Sequence, residues 1–423
     1  MKAFQLPNLD LGPELITPQY QGGSLANLAD SICHLLNVPP LGIGPLRGDV
    51  LSRLGEDVER VVLVLVDALS LELFQAWQST NVAPVWRKLT STGLLAPLTS
   101  VVPSTTCTAL TSLWTGQSAS SHGVFGFEMW FKKYSMIANM LFHAPASFYG
   151  PHNSHVNGSL ELTGFDPQTF IPSPLLGPHL KAHGIDTYVF QRRGILKSGL
   201  SQSFLADTKL RGINTSSELW INLRNLLERN ANQAFFSYVY WGAVDGLTHY
   251  YGPDDERLQA EFSSFSTNFE RFFLSKLSSQ ARRNTAFILT ADHGAIHTPQ
   301  KTNRELKNHP KLLNMLTMLP SGENRCTYLH VQTGQKDNVC AYIHEHWPED
   351  FYLIDSKQAL ESGLFGPGPH HPDATNRIGD LLAIAKNTAY FWWADKENHL
   401  LGRHGGLSDQ EMIIPFLAVR LDS

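Results

Sequence analysis

Cysteine is scarce in this chain of 423 residues: Cys33, Cys107, Cys326 and Cys340 are the only four, and none stands in a CxxC pair. That excludes a disulfide scaffold and a zinc-finger ligand set. A basic excess is also missing. Lys and Arg number 33 against 38 Asp and Glu, a formal net charge of -5. A groove that tracks a nucleic-acid backbone needs clustered positive charge, so no long nucleic-acid partner is expected. Long apolar runs are absent too. The longest aliphatic stretch, Val61–Val66, is far too short for a membrane span, and Met1–Gly12 lacks the apolar segment of a signal peptide. The expectation is a soluble, cytoplasmic protein; its oligomeric state is not legible. No internal repeat or low-complexity segment occurs.

With 42% hydrophobic and 17% charged residues there is material for a sizeable core. The length fits one large α/β domain with an inserted subdomain. Residues 1–55 are rich in Pro, Gly and Leu, and Leu25–Leu36 reads as a short helix. They form an N-terminal extension packing on the core. The continuous run Arg60–Val66 predicts a strand buried on both faces, as in a parallel sheet covered by helices. Thr187–Phe190, Ala234–Tyr240 and Thr285–Thr290 read the same way, with helical spacing over Ser216–Asn230 and Asp254–Ser279 between them. Strands alternating with helices predict an α/β fold with a mostly parallel central sheet. The catalytic core is expected to span residues 56–296 and to resume at 377–423 with strands at Asp380–Ala385 and Ile413–Val419. Residues 297–376 break the rhythm and read as an inserted cap, with a helix over Asn303–Leu319 and strands near Cys326–Val331 and Val339–Ile343.

In open α/β sheets, ligands gather outside the carboxyl ends of the strands. Three strand ends carry an acid: Asp67, Asp245 and Asp292. His249 lies four residues after Asp245, His293 follows Asp292, and His404-Gly405-Gly406 precedes the last strand. Imidazole and carboxylate suit Zn²⁺ or a similar ion, and six such groups supply three ligands to each of two metals. Taken singly, each has a plainer reading: a helix cap for Asp67, a turn for Asp292–Gly294, a helix-face pair for Asp245 and His249, a solvated loop for His404. Their joint occurrence at one sheet edge favours chemistry. The segment Val102–Gly116 follows a strand at Leu94–Val102 and opens a helix with Ser104, Thr105 and Thr106. A hydroxyl there sits where backbone N–H groups favour an anion, although any of the three could be only an N-cap.

Together these segments resemble the alkaline phosphatase superfamily, most closely its nucleotide pyrophosphatase/phosphodiesterase branch. That branch has a Pro-Thr-x-Thr loop whose second Thr is the nucleophile, then a helix ending Thr-Gly, then Ser-His-Gly. Here the residues are Pro103-Ser104-Thr105-Thr106, Thr115-Gly116 and Ser121-His122-Gly123. The register selects Thr106. The family's Asp-Gly-x-x-His, Ala-Asp-His-Gly and His-Gly-Gly match residues 245–249, 291–294 and 404–406. The resemblance implies one divalent ion on Asp67, Thr106, Asp292 and His293, and a second on Asp245, His249 and His404. Zinc is the ion of choice, with Mn²⁺ or Fe as alternatives. It further implies hydrolysis of a phosphodiester or phosphoanhydride through a phospho-threonine intermediate, on a small phosphorylated substrate with nucleotides among the candidates. Two departures weigh against a nucleotide: Cys107 replaces the aromatic residue after the nucleophile, and Val124–Glu128 lacks an Asn that contacts a phosphoryl oxygen. A phosphomonoesterase or phosphonate hydrolase on the same scaffold, and a non-catalytic binding protein, are the rival readings. Arg325 and Arg403 are the arginines that could reach a phosphoryl group.

Overall fold

The computed structural model describes residues 6–7, 9–80, 82–146 and 156–422. The strands, in chain order, are β1 (Arg60–Val66), β2 (Leu94–Thr99), β3 (Glu128–Phe131), β4 (Met136–Asn139), β5 (Ala144–Pro145), β6 (Asp186–Arg192), β7 (Lys209–Ile213) and β8 (Phe235–Trp241). They continue with β9 (Thr285–Thr290), β10 (Ile296–His297), β11 (Ser321–Glu323), β12 (Cys326–Leu329), β13 (Phe351–Asp355), β14 (Leu381–Ala385), β15 (Gly402–Arg403) and β16 (Ile413–Arg420). A seven-stranded central sheet has the order β2-β16-β9-β1-β8-β6-β7. Its strands are parallel except β16, which runs against both neighbours. Every residue of β1 and β9 is buried, as the unbroken apolar runs require when helices cover both faces.

The strand order decides the site. β9, β1 and β8 are adjacent, so the loops that leave their carboxyl ends open side by side at one edge. The first of these loops carries Asp292 and His293, the second Asp67. The third leads into the helix Ala243–Tyr251, which carries Asp245 and His249. β15 pairs antiparallel with β10 and delivers His404 to the same edge. β2 ends at Thr99, and the helix Thr106–Thr115 starts seven residues on.

A second seven-stranded sheet has the order β13-β14-β12-β11-β3-β4-β5. It draws β3–β5 from early in the chain and β11–β14 from far later. Four expectations are corrected here. Leu381–Ala385 belongs to this second sheet and does not resume the central one. A fully apolar run signals burial on two faces without saying in which sheet. Val339–Ile343 lies in the helix Lys336–His346. Val339 and Ile343 are buried one helical turn apart, a period of four that a short apolar run disguises. Asn303–Leu319 is broken into short turns, with a four-residue helix at Pro310–Leu313 as its α-helical part. The helix expected over Asp254–Ser279 runs from Glu256 to Asn268 and then widens into a π turn at Phe269–Phe273.

Leu25, Leu28 and Ile32 from the first 55 residues belong to the main hydrophobic core. A smaller core beside the second sheet gathers Leu312, Val339, Ile343, Trp347, Phe351 and Phe391. No helix among the described residues is long and apolar enough to cross a membrane.

Candidate metal centre

Two groups of side chains lie at the sheet edge: Asp67, Asp292 and His293, and Asp245, His249 and His404. Within each group, one potential ligand atom per residue lies within 4.8 Å of the others. The first group is buried, its side chains no more than 2% exposed. The second opens outward, with Asp245 19% and His249 28% exposed. The rings of His293 and His404 stack at 3.9 Å and bring the groups together. Thr106 Oγ1 lies 3.2 Å from His293 Nε2. All seven positions that the sequence singled out therefore share one site.

Hydrogen bonding fixes the tautomers. His249 Nδ1 donates to the Gly402 carbonyl at 3.0 Å, His293 Nδ1 to Gly294 at 3.0 Å and His404 Nδ1 to Ser104 at 3.3 Å. A carbonyl only accepts, so each Nδ1 carries the proton and each Nε2 presents its lone pair inward. The Nε2 atoms face Asp245 Oδ1 (3.4 Å from His249, 3.7 Å from His404), and Asp67 Oδ1 and Asp292 Oδ2 (3.4 and 3.5 Å from His293). These three carboxylate oxygens are buried and have no hydrogen-bond partner. Their sister oxygens on Asp67 and Asp292 are engaged: Asp67 Oδ2 accepts from the Tyr240 hydroxyl, and Asp292 Oδ1 from the N–H groups of Ala68 and His293. Ala68 reaches Asp292 from a left-handed conformation (φ 60), which only a tight local framework maintains in a non-glycine residue.

The result is a ring of acceptors in which the Thr106 hydroxyl meets His293 and the three carboxylate oxygens meet no donor. Burial, then the charges of Asp292 and Asp245, push the Asp67 carboxyl well above the usual range. Burial pushes Asp292 up to about 7. Burial, then the neighbouring His293 and His249, push His404 down, so its imidazole is neutral near pH 7. Orphaned carboxylate oxygens facing imidazole lone pairs are the donor set that a pair of divalent cations would satisfy.

The nucleophile loop is ordered by its own contacts. Ser104 is fully buried; its hydroxyl donates to the Gly406 carbonyl at 2.7 Å and accepts from Gly405 N–H at 3.2 Å. Thr105 and Cys107 are about 1% exposed, and burial raises the Cys107 thiol far above its usual pKa. Thr106 alone in this run is partly exposed. Ser104 thus binds the threonine loop to the histidine loop, with its hydroxyl on Gly405–Gly406 and its carbonyl on His404. Ser104→Ala is expected to cost about 1–3 kcal/mol of stability, because it strands a buried N–H and a buried carbonyl. It should also weaken metal retention by about 10-fold or more, since His404 loses its anchored partner. Ser104→Thr keeps the hydroxyl and should behave almost as the parent. Thermal unfolding and metal content after mild chelation measure both effects.

Neither suspected arginine is available to a substrate. Arg325 is buried in a two-pronged pair with Glu411 (2.7 and 2.9 Å), and Glu411 Oε1 also accepts from Gly406 N–H. Arg403 binds Thr298, Asn398 and the Leu400 carbonyl and stacks on the Tyr390 ring at 3.8 Å. Both brace the histidine loop.

A cavity of about 360 Å³ opens beside Thr106, Asp245, His249 and His404. Its outer wall includes Phe127, Phe142, Trp392 and Trp393, with Glu128, Glu323 and Lys396 among them. The aromatic surface missing at Cys107 is thus present, supplied by other segments. Sequence reasoning missed this wall, and no spacing rule links residues 127, 142 and 392. It also missed Tyr240, which no local signal distinguishes from Ser237 and Tyr238, the other hydroxyl-bearing residues of β8.

A mostly parallel α/β sheet with this ligand set on its carboxyl edge defines an alkaline phosphatase-like protein of the phosphoesterase class. The chain belongs to the type I phosphodiesterase / nucleotide pyrophosphatase family, whose profile it matches over residues 61–407. No curated protein matches it by sequence. Among solved structures, an inactive form of murine ectonucleotide pyrophosphatase / phosphodiesterase 5 in complex with AMP superposes with a TM-score of 0.60 at 17% identity, covering 85% of this chain and 87% of that one. The human form of that protein gives a TM-score of 0.60 at 16% identity, with the same 85% and 87% coverage. Phosphonoacetate hydrolase from Sinorhizobium meliloti 1021 in complex with phosphonoformate gives 0.59 at 15% identity, covering 84% and 89%.

Proposed function

We propose that this chain is a metal-dependent phosphodiesterase whose nucleophile is Thr106. The observation that carries this reading is the placement of Thr106 Oγ1 against His293 of the inner cluster, on the cavity that the outer cluster borders. Asp67, Asp292 and His293, with Thr106, would hold one divalent ion and Asp245, His249 and His404 the other; bound there, the pair would neutralise charge on the phosphoryl oxygens and ease ionisation of the threonine. Thr106 lies in the first turn of a ten-residue helix, where the helix dipole favours the anionic group it attacks. Its oxygen attacks phosphorus in line, the ester oxygen opposite departs and takes up a proton, and a phospho-threonine forms. Water then attacks phosphorus, releases the monoester product and returns the proton to Thr106. Asp245 and His249 border the cavity, so the departing group leaves on that side.

Diesters and phosphoanhydrides are favoured over monoesters because no arginine among the described residues lines the cavity to meet a second phosphoryl charge. Arg325 and Arg403 are committed to the histidine loop, which leaves Lys396 as the cation on the cavity wall. A carboxylate-bearing phosphonate would bring its charge beside Glu128 and Glu323. The metal-loaded enzyme should hydrolyse bis-p-nitrophenyl phosphate at least ~10-fold more efficiently than p-nitrophenyl phosphate or p-nitrophenyl phenylphosphonate, by the kcat/KM difference that one unmatched charge produces. The reverse order would overturn the diesterase assignment.

A further inference from the structure

The cavity wall contains a carboxylate with an unused oxygen. Glu128 lies on β3, half-buried, and its Oε2 accepts a hydrogen bond from Trp393 Nε1 at 2.9 Å. That bond fixes the carboxyl group and leaves Oε1 without a hydrogen-bond partner among the described residues. Phe127, Phe142, Trp392 and Leu400 line the same cavity. The cation acting on it is Lys396, which stands at the exposed rim, where solvent screens its charge. Glu323, on the inner wall, has no basic partner among the described residues; its Oε1 accepts from Phe127 N–H at 2.7 Å. Burial raises the pKa of both carboxyl groups, as it must when acids are not matched by an interior cation.

A carboxylate has no proton to offer and can only accept. Held among apolar walls, it is costly unless a donor meets it. Aromatic faces beside it attract a cation further. We propose that Glu128 determines specificity by receiving a protonated amine on the departing alcohol, so that the preferred substrates are phosphodiesters of amino alcohols and carboxylate-bearing esters are rejected. This inference rests on the phosphodiesterase reading and deepens it. The few polar groups in a largely apolar pocket are the ones that fix a ligand's orientation, and Glu128 is placed to do that here.

Three methyl phosphodiesters test it, with 2-aminoethanol, 1-propanol or hydroxyacetate as the departing alcohol, assayed with the metal-loaded parent and with Glu128→Gln. The parent-to-variant ratio for each ester cancels differences in intrinsic reactivity. Glu128→Gln should lower kcat/KM for the amino ester about 10-fold and leave the propyl ester within about twofold, while the carboxylate ester improves. An equal loss on all three esters, or no loss on the amino ester, overturns the proposal. Calorimetric binding of 2-aminoethyl phosphate against propyl phosphate provides a readout independent of turnover. The parent should prefer the amine by about 10-fold and the variant should not; equal binding by the parent overturns the inference. Failure of the parent to cleave any ester, bis-p-nitrophenyl phosphate included, would instead count against the diesterase reading, and the binding comparison would still decide the role of Glu128.

Discussion

Thr106→Ala is expected to reduce turnover of a phosphodiester by at least about a thousand-fold, because it removes the atom that bonds to phosphorus. No neighbouring group can replace it. The Ser104 hydroxyl is engaged with Gly405 and Gly406, and Thr105 and Thr108 are buried. The Cys107 thiol is buried beside acidic groups that hold it protonated. The substitution should spare the fold, since Thr106 is partly exposed and alanine is a good residue for a first helical turn. Thr106→Ser retains an oxygen and should retain a measurable fraction of the rate. Unchanged melting temperature and metal content alongside lost kcat would separate the chemical role from a structural one. A fully active Thr106→Ala protein would refute the assignment.

Stripping the protein of divalent ions should abolish hydrolysis and lower its melting temperature by at least about 5 °C. Without cations, Asp67 Oδ1, Asp245 Oδ1 and Asp292 Oδ2 face one another's charge with no donor. Readdition of Zn²⁺ should restore both properties, and parallel trials with Mn²⁺ and Fe²⁺ would rank the alternatives. The two ions should not leave together. Asp292 and His293 are fully buried, whereas Asp245 and His249 are open to the cavity, so a chelator should take the ion from the outer group first. Asp245→Asn should therefore give a protein with about one ion in place of two. Full activity in a preparation free of divalent metal would end the two-ion reading.

Much of the site was legible because its pieces are local. Asp67 and Asp292 directly follow or closely follow an unbroken apolar run, and such runs end where a buried strand reaches the surface. Asp245 and His249 share a helix face because four residues make about one turn. Where a local pattern was ambiguous, the reading failed. Val339–Ile343 has the same composition in a strand or a helix, and packing against Trp347 and Phe391 decides between them. Leu381–Ala385 was recognisable as a strand, but its sheet depended on β12 and β13 as partners.

The sequence by itself determined which residue types stand at the strand ends and therefore the class of chemistry open to the protein, since side-chain identity and strand termination are properties of a few consecutive residues. Tertiary structure alone placed β9, β1 and β8 side by side, turned the Nε2 atoms of His249 and His404 inward through carbonyls from distant loops, and occupied Arg325 and Arg403 elsewhere. It also gathered Glu128, Trp392 and Trp393 into one cavity wall. Most of those outcomes depend on contacts between segments far apart in the chain, and the core as a whole, not any local spacing, sets which segments meet.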